Sequence, residues 1–224
     1  MQYVDEERKK RTLTAVKGAL KNLIKITGDE NIIQLLGQKP MNDRERLPTG
    51  ILTLDVATGG GITRGREVEL FGLESSGKSL IAQKMVAAVQ QHGGVCAYVD
   101  VEQTFDPSFA KKLGVNTNEL LLSQPDSAQN AFNVIDALVD AGVDLIILDS
   151  IAALVPQEEL DAAPGQQTVG LMARYMSQFL RRLNVKISRS GSVVVFTNQV
   201  RDAIGKYGGD PTTTPGGKLI NIAA

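Results

Sequence analysis

The residues with the clearest chemistry run Gly72-Leu73-Glu74-Ser75-Ser76-Gly77-Lys78-Ser79. Their spacing is G-x-x-x-x-G-K-[ST], the pattern of a phosphate-binding loop. Backbone N–H groups in such a loop turn inward onto phosphate oxygens, so glycine is required where a Cβ would collide. A lysine then places a point charge on the β- and γ-phosphates, and a serine hydroxyl ligates Mg²⁺. The N-terminus of the next helix adds partial positive charge. Gly72, Glu74, Ser75, Ser76, Gly77, Lys78 and Ser79 therefore predict an ATP site with Mg²⁺ as its metal.

A magnesium ion held this way needs a carboxylate from a neighbouring strand end. The apolar run Leu145-Ile146-Ile147-Leu148 ends in Asp149, which is placed to act through the metal's water shell. Hydrolysis also needs a group that orients and deprotonates water. The segment Val99-Asp100-Val101-Glu102 supplies two acids at another strand end; Glu102 is the candidate and Asp100 its competitor. Either acid could instead cap a turn. Asn198-Gln199 closes a third apolar run, where an amide can touch the γ-phosphate and report its loss. The Gly- and Thr-rich stretch 205–217 that follows can order or disorder with that contact.

These side chains need a scaffold that brings strand ends together. Apolar runs at 68–71, 95–99, 120–122, 145–148 and 193–197 alternate with helical patterns at 78–91, 107–113, 127–141 and 169–187. Such alternation predicts an α/β fold, a mainly parallel sheet with helices on both faces. Strands apolar on both sides fit a buried parallel sheet. Residues 5–25 read as a preceding helix with a stripe of Leu13, Val16, Leu20, Leu23 and Ile24. By pattern it is a surface helix docked on its own domain; the alternative is an arm docked on a neighbouring subunit. Gly28 ends it, a short apolar segment occupies 31–36, and the polar stretch 38–48 reads as a linker. The predicted organisation is an N-terminal arm over 1–37, the linker over 38–48 and an ATPase core over 49–224.

Composition narrows the class. The chain has 224 residues, with 24 Lys plus Arg against 25 Asp plus Glu and 42% hydrophobic residues. That excludes a disordered tail, a collagen-like fibre and a histone-like polycation. The one cysteine, Cys96, lies in an apolar run and reads as a core residue. No stretch approaches the roughly 18 apolar residues of a membrane helix, and the start lacks a signal core, so a cytoplasmic location is expected. Between Ala162 and Arg201 stand Arg174, Arg181, Arg182, Lys186, Arg189 and Arg201 with no acidic residue. Arg174 and Arg181 share a helix face with Ser177 and Gln178 between them. Such a face binds nucleic-acid phosphates, or is simply solvated.

Together, Glu74-Ser75-Ser76-Gly77-Lys78, Leu113-Gly114-Val115, Ser123-Gln124-Pro125-Asp126, the 148–156 segment LDSIAALVP, Met176-Ser177-Gln178 and Asn198-Gln199-Val200-Arg201 resemble the bacterial RecA recombinase family. The resemblance runs from about residue 31 to the end. It implies a RecA-like P-loop ATPase core that forms a helical filament on single-stranded DNA, with ATP between subunits, and pairs that strand with duplex DNA. By position, Glu102 matches the catalytic glutamate and Gln199 the γ-phosphate sensor, while Asp106 and Phe109 match residues around adenine. Val169 and Gly170 fall at the end of DNA-binding loop 1 (159–170). Loop 2 spans 200–217. Ser177, Arg181, Gly216 and Gly217 match positions holding DNA phosphates, and Arg174, Arg201 and Ile204 positions lining or spacing the DNA. The first helix and 31–36 match the polymerisation arm. Departures fall in the loops: Pro164, Gln166 and Gln167 in loop 1, Gly208 where an aromatic is usual (with Tyr207 beside it), Pro215 for threonine and Asn221 for lysine. The family continues past the point matching Ala224 with further strands, two lysines reaching a neighbour's γ-phosphate and a small domain. Weak turnover and an exposed apolar sheet edge are expected without them. The alternative is a nucleotide- or recombinase-binding module without strand exchange.

Overall fold

A computed structural model describes residues 5–28, 45–163 and 170–199, with the backbone alone of 201–202 and 212–213. The chain divides into two compact units, Met1–Arg44 and Glu45–Ala224.

In the first unit, helix α1 spans Glu6–Thr27. Asp5 caps it by accepting from the Glu7 N–H, and Gly28, at φ 70°, closes it with its N–H on the Ile24 carbonyl. Glu6 and Glu7 in the first turn and Lys25 in the last complement the helix dipole. No residue of α1 is buried. The predicted 31–36 segment and most of the 38–48 linker lie outside the described residues.

The second unit opens with a small antiparallel pair, β1 (Arg46–Leu47) and β2 (Ile62–Thr63), around helix α2 (Leu52–Thr58). The end of the predicted linker is thus a strand. Leu47 is buried, and the Arg46 guanidinium donates to the Thr58 and Gly61 carbonyls. A Cβ at Gly61 (φ 112°) would lie 2.1 Å from the Leu47 carbonyl oxygen, so this close approach demands glycine.

The main sheet has five strands: β3 (Glu67–Gly72), β4 (Cys96–Asp100), β5 (Leu121–Ser123), β6 (Leu145–Asp149) and β7 (Val193–Gln199). Their order is β3-β7-β6-β4-β5, and every pairing is parallel. Helices α3 (Lys78–Gln91), α4 (Pro107–Lys112), α5 (Ala128–Asp140) and α7 (Leu171–Ser190) connect them, with the short α6 (Gln157–Leu160) before α7. Side chains alternate between the two faces of the sheet. Cys96, Tyr98, Leu145, Ile147, Val193 and Val195 pack with Met85, Val86 and Val89 of α3. Ala97, Val99, Ile146, Leu148, Val194 and Phe196 pack with α5 and α7, where Phe132 and Phe179 stack at 4.2 Å. β4 and β6 are buried along their whole length, which is why their sequences carry no alternation.

Strand β3 is an edge of the described sheet, and Phe71 is 66% exposed. Helix α7 starts at Leu171, after Gly170 in the left-handed region, and runs to Ser190 rather than 187. Loop 1 as predicted includes the end of α6. Loop 2 includes an antiparallel pair, β8 (Arg201–Asp202) with β9 (Thr212–Thr213). Among the described residues no helix is long and apolar enough to cross a membrane.

Candidate functional site

The carboxyl ends of β3, β7, β6 and β4 meet at one cavity of about 340 Å³. Open parallel sheets bind ligands at this edge, beside the point where the chain order jumps. Glu74, Ser75, Ser76, Gly77, Lys78 and Ser79 form one wall; Glu102, Asp149, Ser150 and Gln199 form the other. Residues up to 125 positions apart, Glu74 and Gln199, thus face a single space.

The phosphate loop links β3 to α3. Ser75 (φ 57°) and Gly77 (φ 90°) adopt left-handed conformations that turn successive backbone N–H groups to one side. A Cβ at Gly72 would meet the Ser76 Oγ at 2.9 Å. The Lys78 ammonium donates to the carbonyls of Gly72 (3.2 Å) and Leu73 (2.7 Å) of its own loop. The cradle, the ammonium and the start of a 14-residue helix suit a polyphosphate. Ser79 and Asp149 both line this cavity, so a hydroxyl and a carboxylate would be available to a Mg²⁺ ion whose other positions phosphates and water would fill.

Asp149 ends β6 and is 7% exposed. Its Oδ2 accepts from the Tyr98 phenol at 2.5 Å, and its Oδ1 accepts from the Thr197 hydroxyl. Burial and the Asp149 charge push the Tyr98 phenol far above the usual tyrosine range, so it stays protonated and donates. The Ser150 hydroxyl donates to Glu102 Oε1 at 2.5 Å, and the Asp149–Ser150 peptide bond is cis. Gln199 stands opposite Gly72 in the β3–β7 register, which sets it against the phosphate loop. Asn198 turns to the edge strand, donating to Glu69 at 2.7 Å.

The structure separates the two competing acids. Glu102 lines the cavity. Asp100 does not: it is 1% exposed and accepts from the N–H groups of Thr104 and Phe105 and from the Gln124 amide. It caps the turn after β4, the alternative the sequence left open for these acids. Asp106 is likewise a cap, accepting from the N–H groups of Ser108 and Phe109 at the start of α4. Asp106, Phe109 and Gly72 do not line the cavity. Ser150, Tyr98 and Thr197 were not evident from the sequence. A tyrosine in an otherwise apolar, buried strand is the signal that marks Tyr98, since a buried phenol requires a partner.

Of the predicted DNA-facing residues, Arg174, Ser177 and Arg181 lie on α7. Arg174 sits over the Tyr175 ring at 5.8 Å, and the Tyr175 phenol donates to Glu158, holding that carboxyl below its usual range. Arg181 donates to the Ser177 carbonyl at 3.1 Å. Arg182 pairs with Asp136 of α5, and Lys186 with Asp136 and Asp140. The one-signed run of the sequence is therefore split. Arg182 and Lys186 tie α7 to α5, whereas Arg174 and Arg181 make no salt bridge within 4 Å among the described residues, although the Arg174 charge helps to lower the Glu158 carboxyl. A groove of about 570 Å³ between α5 and α7 includes Tyr175, Gln178 and Arg181. Gly170 is the residue before α7. Val169, Ile204, Gly216 and Gly217 lie outside the described residues, and Arg201 is described only in its backbone.

Fold and cavity define a phosphate-loop α/β core with its ligand space at the carboxyl edge of a parallel sheet. Residues 14–224 match the RecA_N family, described as the RecA N-terminal domain. The chain is 46% identical over 219 residues to Protein RecA of Thermus aquaticus, covering 97% of this chain and 63% of that protein. It is 45% identical over 212 residues to Protein RecA of Enterococcus faecalis (94% and 61%) and 43% identical over 226 residues to Protein RecA of Rickettsia prowazekii (100% and 64%). The chain belongs to the bacterial RecA family. It spans less than two thirds of the length of these curated relatives.

Proposed function

We propose that this chain is the ATP-binding core of a DNA recombinase, cytoplasmic, self-assembling on single-stranded DNA and pairing it with duplex. The observation that carries the reading is the convergence of Lys78, Ser79, Glu102, Asp149 and Gln199 on one cavity. The loop N–H groups and Lys78 bind the phosphates of ATP, with Asp106 and Phe109 towards adenine. Ser79 and Asp149 hold Mg²⁺, which neutralises phosphate charge when bound. Glu102 orients a water molecule and takes its proton as the water oxygen bonds to the γ-phosphorus. The bond to the bridging oxygen breaks, leaving ADP and phosphate. Ser150 holds Glu102 in position for that proton. Gln199 reaches the terminal phosphate, and β7 leads directly towards loop 2. Nucleotide state is thereby linked to DNA binding, for which the resemblance assigns Val169, Gly170, Arg174, Ser177, Arg181, Arg201, Ile204, Gly216 and Gly217.

Fluorescence anisotropy of labelled single-stranded DNA, titrated with this chain, tests the reading. Cooperative binding with a non-hydrolysable ATP analogue and weak binding with ADP are expected. Identical binding in both nucleotide states would refute the switch.

A further inference from the structure

We infer that Tyr98 and Thr197 are positioning residues that fix the Asp149 carboxylate for its metal, so that their hydroxyls set the Mg²⁺ requirement of nucleotide binding. The inference rests on the nucleotide-site reading above and deepens it.

Asp149 lies on β6, between β4 and β7. Each neighbour sends one neutral hydroxyl to it: Tyr98 from β4 to Oδ2 at 2.5 Å, and Thr197 from β7 to Oδ1. Both oxygens are therefore held, from opposite sides, at a residue only 7% exposed. A carboxylate at the end of a strand has two free torsions. Two donors on buried strands restrict that freedom, and the residue they hold lines the cavity. Neutral donors achieve this without a positive charge that would compete with a cation.

The Tyr98 hydroxyl is not needed for packing. Its ring lies 1% exposed among apolar neighbours, with its centroid 4.9 Å from that of Phe105, and a phenylalanine would keep those contacts. The Gln83 amide also lies near the Tyr98 phenol and acts on it in the opposite sense to burial. Gln83 follows Ser79 by four residues on α3, and so lies on the same helix face as the proposed metal-binding hydroxyl. Thr197 precedes Gln199 by two residues, and so shares its face of β7. A buried pair of hydrogen bonds thus joins the strand of Tyr98, the carboxylate of Asp149 and the strand of Gln199.

The test is a binding titration of a fluorescent ADP analogue to the full chain, in EDTA and across graded free Mg²⁺, for the parent, Tyr98→Phe and Thr197→Val. Each variant is expected to raise the Mg²⁺ concentration for half-maximal effect by about tenfold, the low end for loss of an outer-shell partner. Affinity in EDTA should stay at the parent value. An unchanged Mg²⁺ requirement in both variants overturns the inference. Equal losses with and without Mg²⁺ also overturn it, because they denote general damage rather than positioning. If Tyr98→Phe lacks a cooperative melting transition, Thr197→Val decides the matter. A parent chain that binds no nucleotide in any condition refutes the nucleotide-site reading itself, and that result comes from the parent arm alone.

Discussion

Replacing Lys78 with alanine isolates the electrostatics of the phosphate loop. The ammonium is half-buried and at present shared between the Gly72 and Leu73 carbonyls at 3.2 and 2.7 Å. Set against a phosphate oxygen at ~4 Å, with an effective dielectric of ~20 for a group near the surface, it contributes about 4 kcal/mol of attraction. Reaching the phosphate costs one of the carbonyl hydrogen bonds, worth ~1.5 kcal/mol for a charged donor. The difference is about 2.5 kcal/mol, and at ~1.4 kcal/mol per decade it corresponds to roughly a 60-fold loss of affinity. The loss should be greater for a triphosphate than a diphosphate, because the charge falls on the β- and γ-groups. A fluorescent-nucleotide titration in excess Mg²⁺ measures it directly, with a thermal melt as the check on folding. A folded Lys78→Ala variant whose affinity changes less than about threefold would refute the placement of phosphate against this loop.

Glu102→Gln is expected to keep nucleotide affinity and lose hydrolysis by about 10²–10⁴-fold, read as phosphate release under saturating nucleotide and DNA; loss of binding as well would remove Glu102 from the role of base. Arg174→Ala combined with Arg181→Ala should weaken single-stranded DNA binding and lower the slope of log K against log salt by about 1.4, at ~0.7 for each phosphate that is no longer neutralised. An unchanged slope would return α7 to a solvated face. Phe179→Ala removes a fully buried ring stacked on Phe132 and should cost about 3–5 kcal/mol in urea unfolding. Cys96 is buried, and its thiol is pushed up to about 12, chiefly by desolvation. The folded thiol therefore keeps its proton while the unfolded one ionises near ~8.5, so its contribution to stability is complete below that pH and falls away towards 12. Native protein should resist a thiol reagent at pH 8 and react once unfolded.

The phosphate loop was legible in the sequence because its chemistry depends on contiguous residues at fixed spacing. A strand, a glycine turn and a helix start are local, and the loop from Gly72 to Ser79 carries all three. The parallel sheet was legible for a related reason. Buried strands are apolar on both sides, and the runs ending in Asp149 and Gln199 had that composition before any pairing was known. Strand ends were thus identifiable as candidate site positions, but which acid at a strand end faces the ligand was not. Asp100 and Glu102 are two residues apart and chemically alike; the backbone of residues 104–105 and the Gln124 side chain, 24 positions away, occupy Asp100 and leave Glu102 to the cavity. The basic run of α7 was likewise divided only when α5 brought Asp136 and Asp140 against Arg182 and Lys186. The hydroxyls that hold Asp149 come from residues 51 and 48 positions away on the two neighbouring strands. Local pattern determines which residues are able to do chemistry, because propensity and spacing act over a few residues. Partnership between side chains depends on strand order and register, and those are decided by the burial of the whole sheet between its two helical layers.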